Sequence, residues 1–345
     1  MNEGASVRRW LTRKARRRRL RSFARPLPVG AALASLALSL SVAGVSSAAQ
    51  PPPEANSAPA SQDQPISDTV TIQARREREQ LEREVSHFLF QVSVHYMNDS
   101  LSRWNQPICP LVAGLPREEG EFILARLSQI ATEATAPLAG QHCEANFFVV
   151  VTGEPVALLK AWRARDPNVY TTRNGGGYIS SFLDTPRPIR VWYNTGFVSS
   201  GGAPLSASSL AVAFAGPGLG MNLLMKNLPI NQVPIGTRLR RTAIQSLSSV
   251  IVVVDASRVQ HLRFAQLADY IGMIGLAEVN LDADVGSAPS IMKLFRDVPD
   301  PPQGLSGFDQ AFLSSLYHAD QASVMQESAM KRIMLERIAP SHANR

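Results

Sequence analysis

His87, His95, His142, His261, His318 and His342 are the chain's imidazoles, and their spacing decides whether zinc chemistry is written locally. A zinc-binding helix takes histidines at i and i+4, as in H-E-x-x-H, so that both rings reach one ion while the glutamate activates its water. No two of the six stand four apart. His87 and His95 lie two turns apart on one helical face, the ordinary condition of packed or surface histidines. A nucleophile elbow, G-x-S-x-G, is missing, and Ser199-Ser200-Gly201 reads as a loop. Gly216-Pro217-Gly218-Leu219-Gly220 lacks the Lys-Ser/Thr of a phosphate loop and the spacing of a dinucleotide fingerprint, so it reads as a turn. In Asn280 to Gly286 the Asn and Asp oxygens alternate as calcium ligands do. The glycine comes one position late for an EF-hand and no bidentate Glu follows, which predicts a solvated Asp-rich turn.

One constellation near the C-terminus has a more specific order. Gln266 to Glu278 reads QLADYIGMIGLAE, a helix-period run into Gly275-Leu276. Then come Pro289-Ser290-Ile291-Met292 and Leu305-Ser306-Gly307-Phe308-Asp309, with Phe312, Leu316 and Tyr317 beyond. This order resembles the catalytic half of metzincin-type zinc peptidases: an HExxHxxGxxH helix and turn, a Ser-Ile-Met turn below the metal, and a closing L-S-x-x-D helix. It is similar too to uncharacterised bacterial envelope families that keep the framework.

Carried over residue by residue from Gly275, the resemblance puts Ala268 at the first His ligand, Asp269 at the general-base Glu, Gly272 at the second His and Glu278 at the third. A catalytic zinc takes three protein ligands and an open water position. Ala268 and Gly272 have no ligand atoms, and Asp269 alone cannot hold the ion. The structural positions match: Gly275 for a tight helix exit, Met292 as a floor and Asp309 as a helix-start acid. The resemblance thus implies a zincin-like scaffold without its metal, no cofactor and no catalytic residue. The other reading of the same residues is an unrelated α+β domain in which ADYIGMIGL is a core helix with Ile271, Ile274 and Leu276 inward. Under both, Asp269 is expected on the helix surface.

The elements that would position these residues follow from periodicity. Gln73 onward is helical, with charge on nearly every side and then apolar Phe88, Leu89, Val92, Val94 and Tyr96. Trp104 to Cys109 is a Pro-punctuated loop. Pro116 opens a helix in which Phe122, Ile123, Leu127, Ile130 and Ala134 recur, and Pro155 to Arg165 is a further helix. Strands are expected at Asn146 to Thr152, at Ile189 to Tyr193 and as a long pair within Leu239 to Val254. Helices and strands interleave without a repeat, so the fold class is α+β, a mixed sheet with packed helices.

The chain's formal charge of +7 is misleading about partners. Met1 to Arg25 holds ten basic residues and one acid, a surplus that exceeds the whole, so everything after Arg25 sums to −2. That excludes a global argument for nucleic acid. Pro26 to Ala49 is uncharged, apolar and ends in small residues, giving the order of a secretory signal with cleavage between Ala49 and Gln50. Retained instead, the span would be a single-pass inner-membrane anchor with its arginines inside, and membrane contact is expected in that case alone. Cys109 and Cys143, the only cysteines, are a natural disulfide in an oxidising compartment.

The expected organisation is a signal or anchor over 1–49, a Pro/Ser/Ala-rich linker over 50–72, one α+β domain over 73–320 and a helical tail over 321–345. The expected function is a non-catalytic binding or envelope-associated module, periplasmic or secreted, whose partner the sequence does not name. The alternatives are a hydrolase assembled from distant residues such as His142, Asp269, Glu278 and His318, and a membrane-tethered structural factor.

Overall fold

The run Val250-Ile251-Val252-Val253-Val254 is apolar at every position, as a strand covered on both faces must be. In the computed structural model, which describes residues 66–95, 100–170, 176–201 and 239–342, it forms the centre of the sheet. The expected signal and its cleavage site at Ala49 and Gln50 lie outside the described residues, as does the Gly216 to Gly220 turn.

Five strands make one mixed sheet: β1 (Arg103–Trp104), β2 (Pro110–Ala113), β3 (Phe147–Thr152), β4 (Ile189–Ser199) and β5 (Ala243–Asp255). Along one edge β5 pairs antiparallel with β4. Along the other it takes β1 at Ser246 and Leu247, then β3 from Val250 to Asp255, both parallel, and β2 continues the sheet parallel to β3. The long pair expected within Leu239 to Val254 is one strand. No Gly or Pro interrupts that stretch, so nothing turns the chain, and its antiparallel partner is β4, which runs on past Tyr193 to Ser199.

Seven helices are described: α1 (Ile66–Val92), α2 (Arg117–Ala134), α3 (Pro155–Arg165), α4 (Gly176–Asp184), α5 (Phe264–Leu276), α6 (Gly307–His318) and α7 (Gln326–His342). Side-chain alternation sorts them. Phe147 and Val149 of β3 with Val250, Val252 and Val254 of β5 face the main core, where α2 and α5 pack. Ile251, Val253 and Trp192 face the other side, against Leu159 of α3, Tyr170, and Ile179 and Leu183 of α4.

Helix α1 begins at Ile66, within the stretch expected as linker, and its buried residues are the last ones: Val85, Phe88, Leu89 and Val92. The Phe88 ring meets Phe308 and Phe312 of α6 edge-on, with centroids 5.7 and 6.0 Å apart. The C-terminal stretch expected as a tail is part of the same core, because Met330, Met334 and Ile338 of α7 are buried against it.

Candidate functional site

Helix α5 follows the central strand and is covered on every side: each residue from Gln266 to Leu276 is buried. Its first turn is held by Gln266, which accepts from the Arg263 amide and donates to the Pro302 carbonyl. So complete a burial needs small residues where other elements come close. A Cβ at Gly272 would lie 2.6 Å from Cδ1 of Ile130 on α2, and one at Gly275 would overlap the Phe147 ring of β3.

Gly275 therefore departs from its expected role. It lies inside the helix and is absent from the positive-φ glycines, while the C-cap is Ala277 in extended conformation. The helix leaves without a left-handed turn, and its last carbonyls are satisfied from outside. Tyr193 of β4 donates to the Ile274 carbonyl at 2.8 Å, Trp104 of β1 to Gly275 at 2.9 Å, and Tyr317 of α6 to Leu276 at 2.6 Å. Burial pushes the Tyr317 phenol up, so it stays a neutral donor across the working pH range.

The four positions carried over from the metzincin motif do not converge. Ala268 is fully buried, and Gly272 faces Ile130. Asp269, expected on the helix surface, is 3% exposed. The reason is a partner invisible to local pattern: Arg126 of α2 grips both carboxylate oxygens, at 2.5 and 3.1 Å, and the Leu305 amide donates to Oδ2 at 2.8 Å. The same carboxylate holds the Arg126 guanidinium above its usual pKa. Glu278 lies beyond the helix end, 8% exposed.

The two later motif pieces are brought together. Asp309, fully buried, accepts from the Ser290 hydroxyl at 2.5 Å, the Ile291 amide at 2.8 Å and the Ser306 amide at 2.9 Å. It thereby ties the Ser290-Ile291-Met292 turn to the N-terminus of α6, where Ser306 and Asp309 form a capping box. Burial raises the Asp309 pKa, and those hydrogen bonds oppose the rise. Met292 is 3% exposed in the core below.

Glu278 lines an open cleft of about 590 Å³. One wall is the end of α1 and the residues after it, Phe90 to His95; a second is Arg187, Val191 and Tyr193 along β4; the third is Glu278 to Asp282. A bridge between Ser93 and Val279 and the Asn280 amide donating to Val92 at 2.9 Å hold the first wall to the third. Arg187 and Asp282 form a bidentate pair at 2.9 and 2.8 Å, which holds the Asp282 carboxyl below its ordinary range. His95 meets Glu327 at 3.0 Å. In the Asp-rich turn, Asn280 and Asp284 accept from the amides of Asp282 and Gly286, so side-chain oxygens close the turn itself.

The residues of the alternative hydrolase are dispersed. His142 sits at φ 62° on an exposed turn beside Cys143. His318 ends α6 and bonds back to Ser314, Asp269 is held by Arg126, and Glu278 is in the cleft. Among the described residues no three His, Cys, Asp or Glu side chains form a group that could hold a metal ion. Cys109 and Cys143 are joined, with Cα atoms 5.9 Å apart. No described helix is long and apolar enough to cross a membrane.

Sequence reasoning missed Arg126 and Arg187 altogether, and it named Trp104, Tyr193 and Tyr317 without their roles as donors to the end of α5. Each acts on a residue more than forty positions away, except that Arg126 and Trp104 had one local signal: a polar or large aromatic residue where the surrounding pattern gave no reason for it. Compared with protein-family models, with curated protein sequences and with solved structures, the chain matches none.

Proposed function

We propose that the chain is an exported, non-catalytic binding module, a zincin-like scaffold that has lost its metal and whose cleft beside Glu278 holds a ligand without turning it over. The observation that carries the reading is the surroundings of the two helical ligand positions. Ala268 is fully buried and Gly272 lies against Ile130, so the positions supply no ligand atom and leave no room for an ion beside them. The acid that would serve as base, Asp269, is committed to Arg126 and the Leu305 amide.

Support for the scaffold comes from order and connection. Helix α5, the Ser-Ile-Met turn and the closing helix α6 follow one another along the chain, and Asp309 stands at the start of α6, where it also holds the turn. Support for export comes from the basic, apolar and small-residue order of the first 49 residues and from the Cys109–Cys143 bond, which an oxidising compartment sustains.

The test is to incubate the mature chain, beginning at Gln50, with a mixed-sequence peptide library, with and without added zinc, and read products by mass spectrometry. No cleavage above a protein-free control is expected. Zinc-dependent cleavage abolished by Glu278→Ala would overturn the reading.

A further inference from the structure

We propose that the cleft takes an aromatic group bearing a hydroxyl, its ring against Phe90 and its oxygen on the hydroxyl of Ser93. This rests on the cleft being a binding site and adds the chemistry of what it binds.

The charged side chains named at the cleft are already engaged. Arg187 and Asp282 hold each other through two hydrogen bonds, His95 meets Glu327, and Glu278 has an interaction of its own within the protein. Ser93 differs from them. It lines the cleft, is 5% exposed, and its Oγ has no hydrogen-bond partner. The usual local partner is at hand and is not taken. Ser86 of α1 and Ser128 and Thr132 of α2 donate their hydroxyls to the carbonyl four residues back, at 2.6, 2.8 and 2.8 Å, whereas at Ser93 the backbone amide alone reaches Leu89, at 3.1 Å. A buried hydroxyl left unpaired destabilises a fold, so its place in a cleft wall points to a partner that arrives from outside. The oxygen is enclosed, and a serine changes χ1 readily between staggered positions, so contact with a ligand takes one such turn.

The walls supply the rest of the site. Phe90 is 63% exposed at the cleft, and its ring lies 5.2 Å from that of His95, a pair that offers an outer face to a third ring. Val94, Val191 and Leu281 add apolar surface, and a volume of about 590 Å³ holds a phenol or a tyrosine side chain. A purely apolar ring would stack on Phe90 and leave Ser93 unpaired. A ligand hydroxyl both donates and accepts, as that of Ser93 does, so either partner can supply the proton.

The experiment is isothermal titration calorimetry of purified protein beginning at Gln50 with N-acetyl-tyrosinamide, N-acetyl-phenylalaninamide and 4-methylphenol. Saturable binding of the tyrosine probe below about 10 mM is expected, at least about fivefold tighter than that of the phenylalanine probe. In Ser93→Ala that preference should vanish while the phenylalanine probe binds as before. The thermal midpoint of this variant should equal that of wild type or exceed it, since an unpaired hydroxyl is removed. Phe90→Ala, at an exposed position, should weaken both amide probes alike. Tighter binding of the tyrosine probe than of 4-methylphenol identifies a peptide side chain as the source, and the reverse identifies a free phenol. No saturable binding of either phenol, equal affinity of the tyrosine and phenylalanine probes, a preference that survives in Ser93→Ala, or unchanged affinity in Phe90→Ala overturns the inference. So does a midpoint that falls in Ser93→Ala, which would show the hydroxyl satisfied within the fold. Zinc is measured in the same samples: failed phenol binding in metal-free protein removes this inference alone, whereas stoichiometric zinc removes the reading beneath it.

Discussion

The indole N–H of Trp104 donates to the carbonyl of Gly275 at 2.9 Å, joining the first strand of the sheet to the last turn of the helix beneath it. With Tyr193 and Tyr317 on the neighbouring carbonyls, it ends α5 in an extended residue and directs the chain into the cleft at Glu278. Trp104→Phe keeps most of the packing and removes the donor, leaving a buried carbonyl unpaired. A loss of about 1–3 kcal/mol in urea denaturation is expected. An unchanged midpoint would mean that water replaces the indole.

Gly275 is a glycine because Phe147 occupies the space of its side chain. Gly275→Ala should destabilise by about 1–3 kcal/mol, and Phe147→Leu in the same chain should recover part of the loss. Additive losses in the double-mutant cycle would show that the two residues do not compete for space. Ala268→His with Gly272→His should likewise overpack α5 against Ile130 and lower the thermal midpoint, whether or not zinc is added.

How far the sequence led is clear from these same residues. The ends of α3 and the span of β3 follow from Pro155 and from the FFVVVT run, since proline at the first helical turn and a short apolar run carry their meaning locally. β5 was legible as apolar, yet whether it was one strand or two depended on a partner, β4, that begins over fifty residues earlier. Asp269 went to the wrong side of the helix surface because a charged side chain in a helix is exposed by default, and the exception requires an Arg126 that only tertiary packing supplies. The cleft was not legible at all. Its three walls come from three separate parts of the chain, and only the Glu278 to Asp282 wall holds residues that a local pattern singles out.

The disulfide closes a loop between residues 34 apart, joining the approach to β2 with the approach to β3. Replacing both cysteines with serine should cost about 3–4 kcal/mol on the chain-entropy account. Denaturant melts with and without reductant check this: wild type should fall toward the variant when reduced, and the variant should not respond.

The Arg187–Asp282 pair predicts a pH dependence at the cleft rim. The Arg187 hydrogen bonds lower the Asp282 pKa, so its contribution is present above the ordinary Asp range and is lost as the pH falls through the lowered value. Both side chains reach solvent, at 36% and 70% exposure, so screening limits the pair to at most about 1 kcal/mol. The stability difference between wild type and Asp282→Asn should be measurable at neutral pH in low salt and vanish in strong acid. A gap that widens on acidification would reverse the sign.

The central claim is that the scaffold works without a metal, and its most direct test is the zinc content of the mature chain. Purified protein beginning at Gln50 would be dialysed against zinc, washed free of loose ions and analysed by inductively coupled plasma mass spectrometry. The account predicts far less than one zinc per chain, unchanged by Glu278→Ala. One zinc per chain, lost on Glu278→Ala, would contradict it.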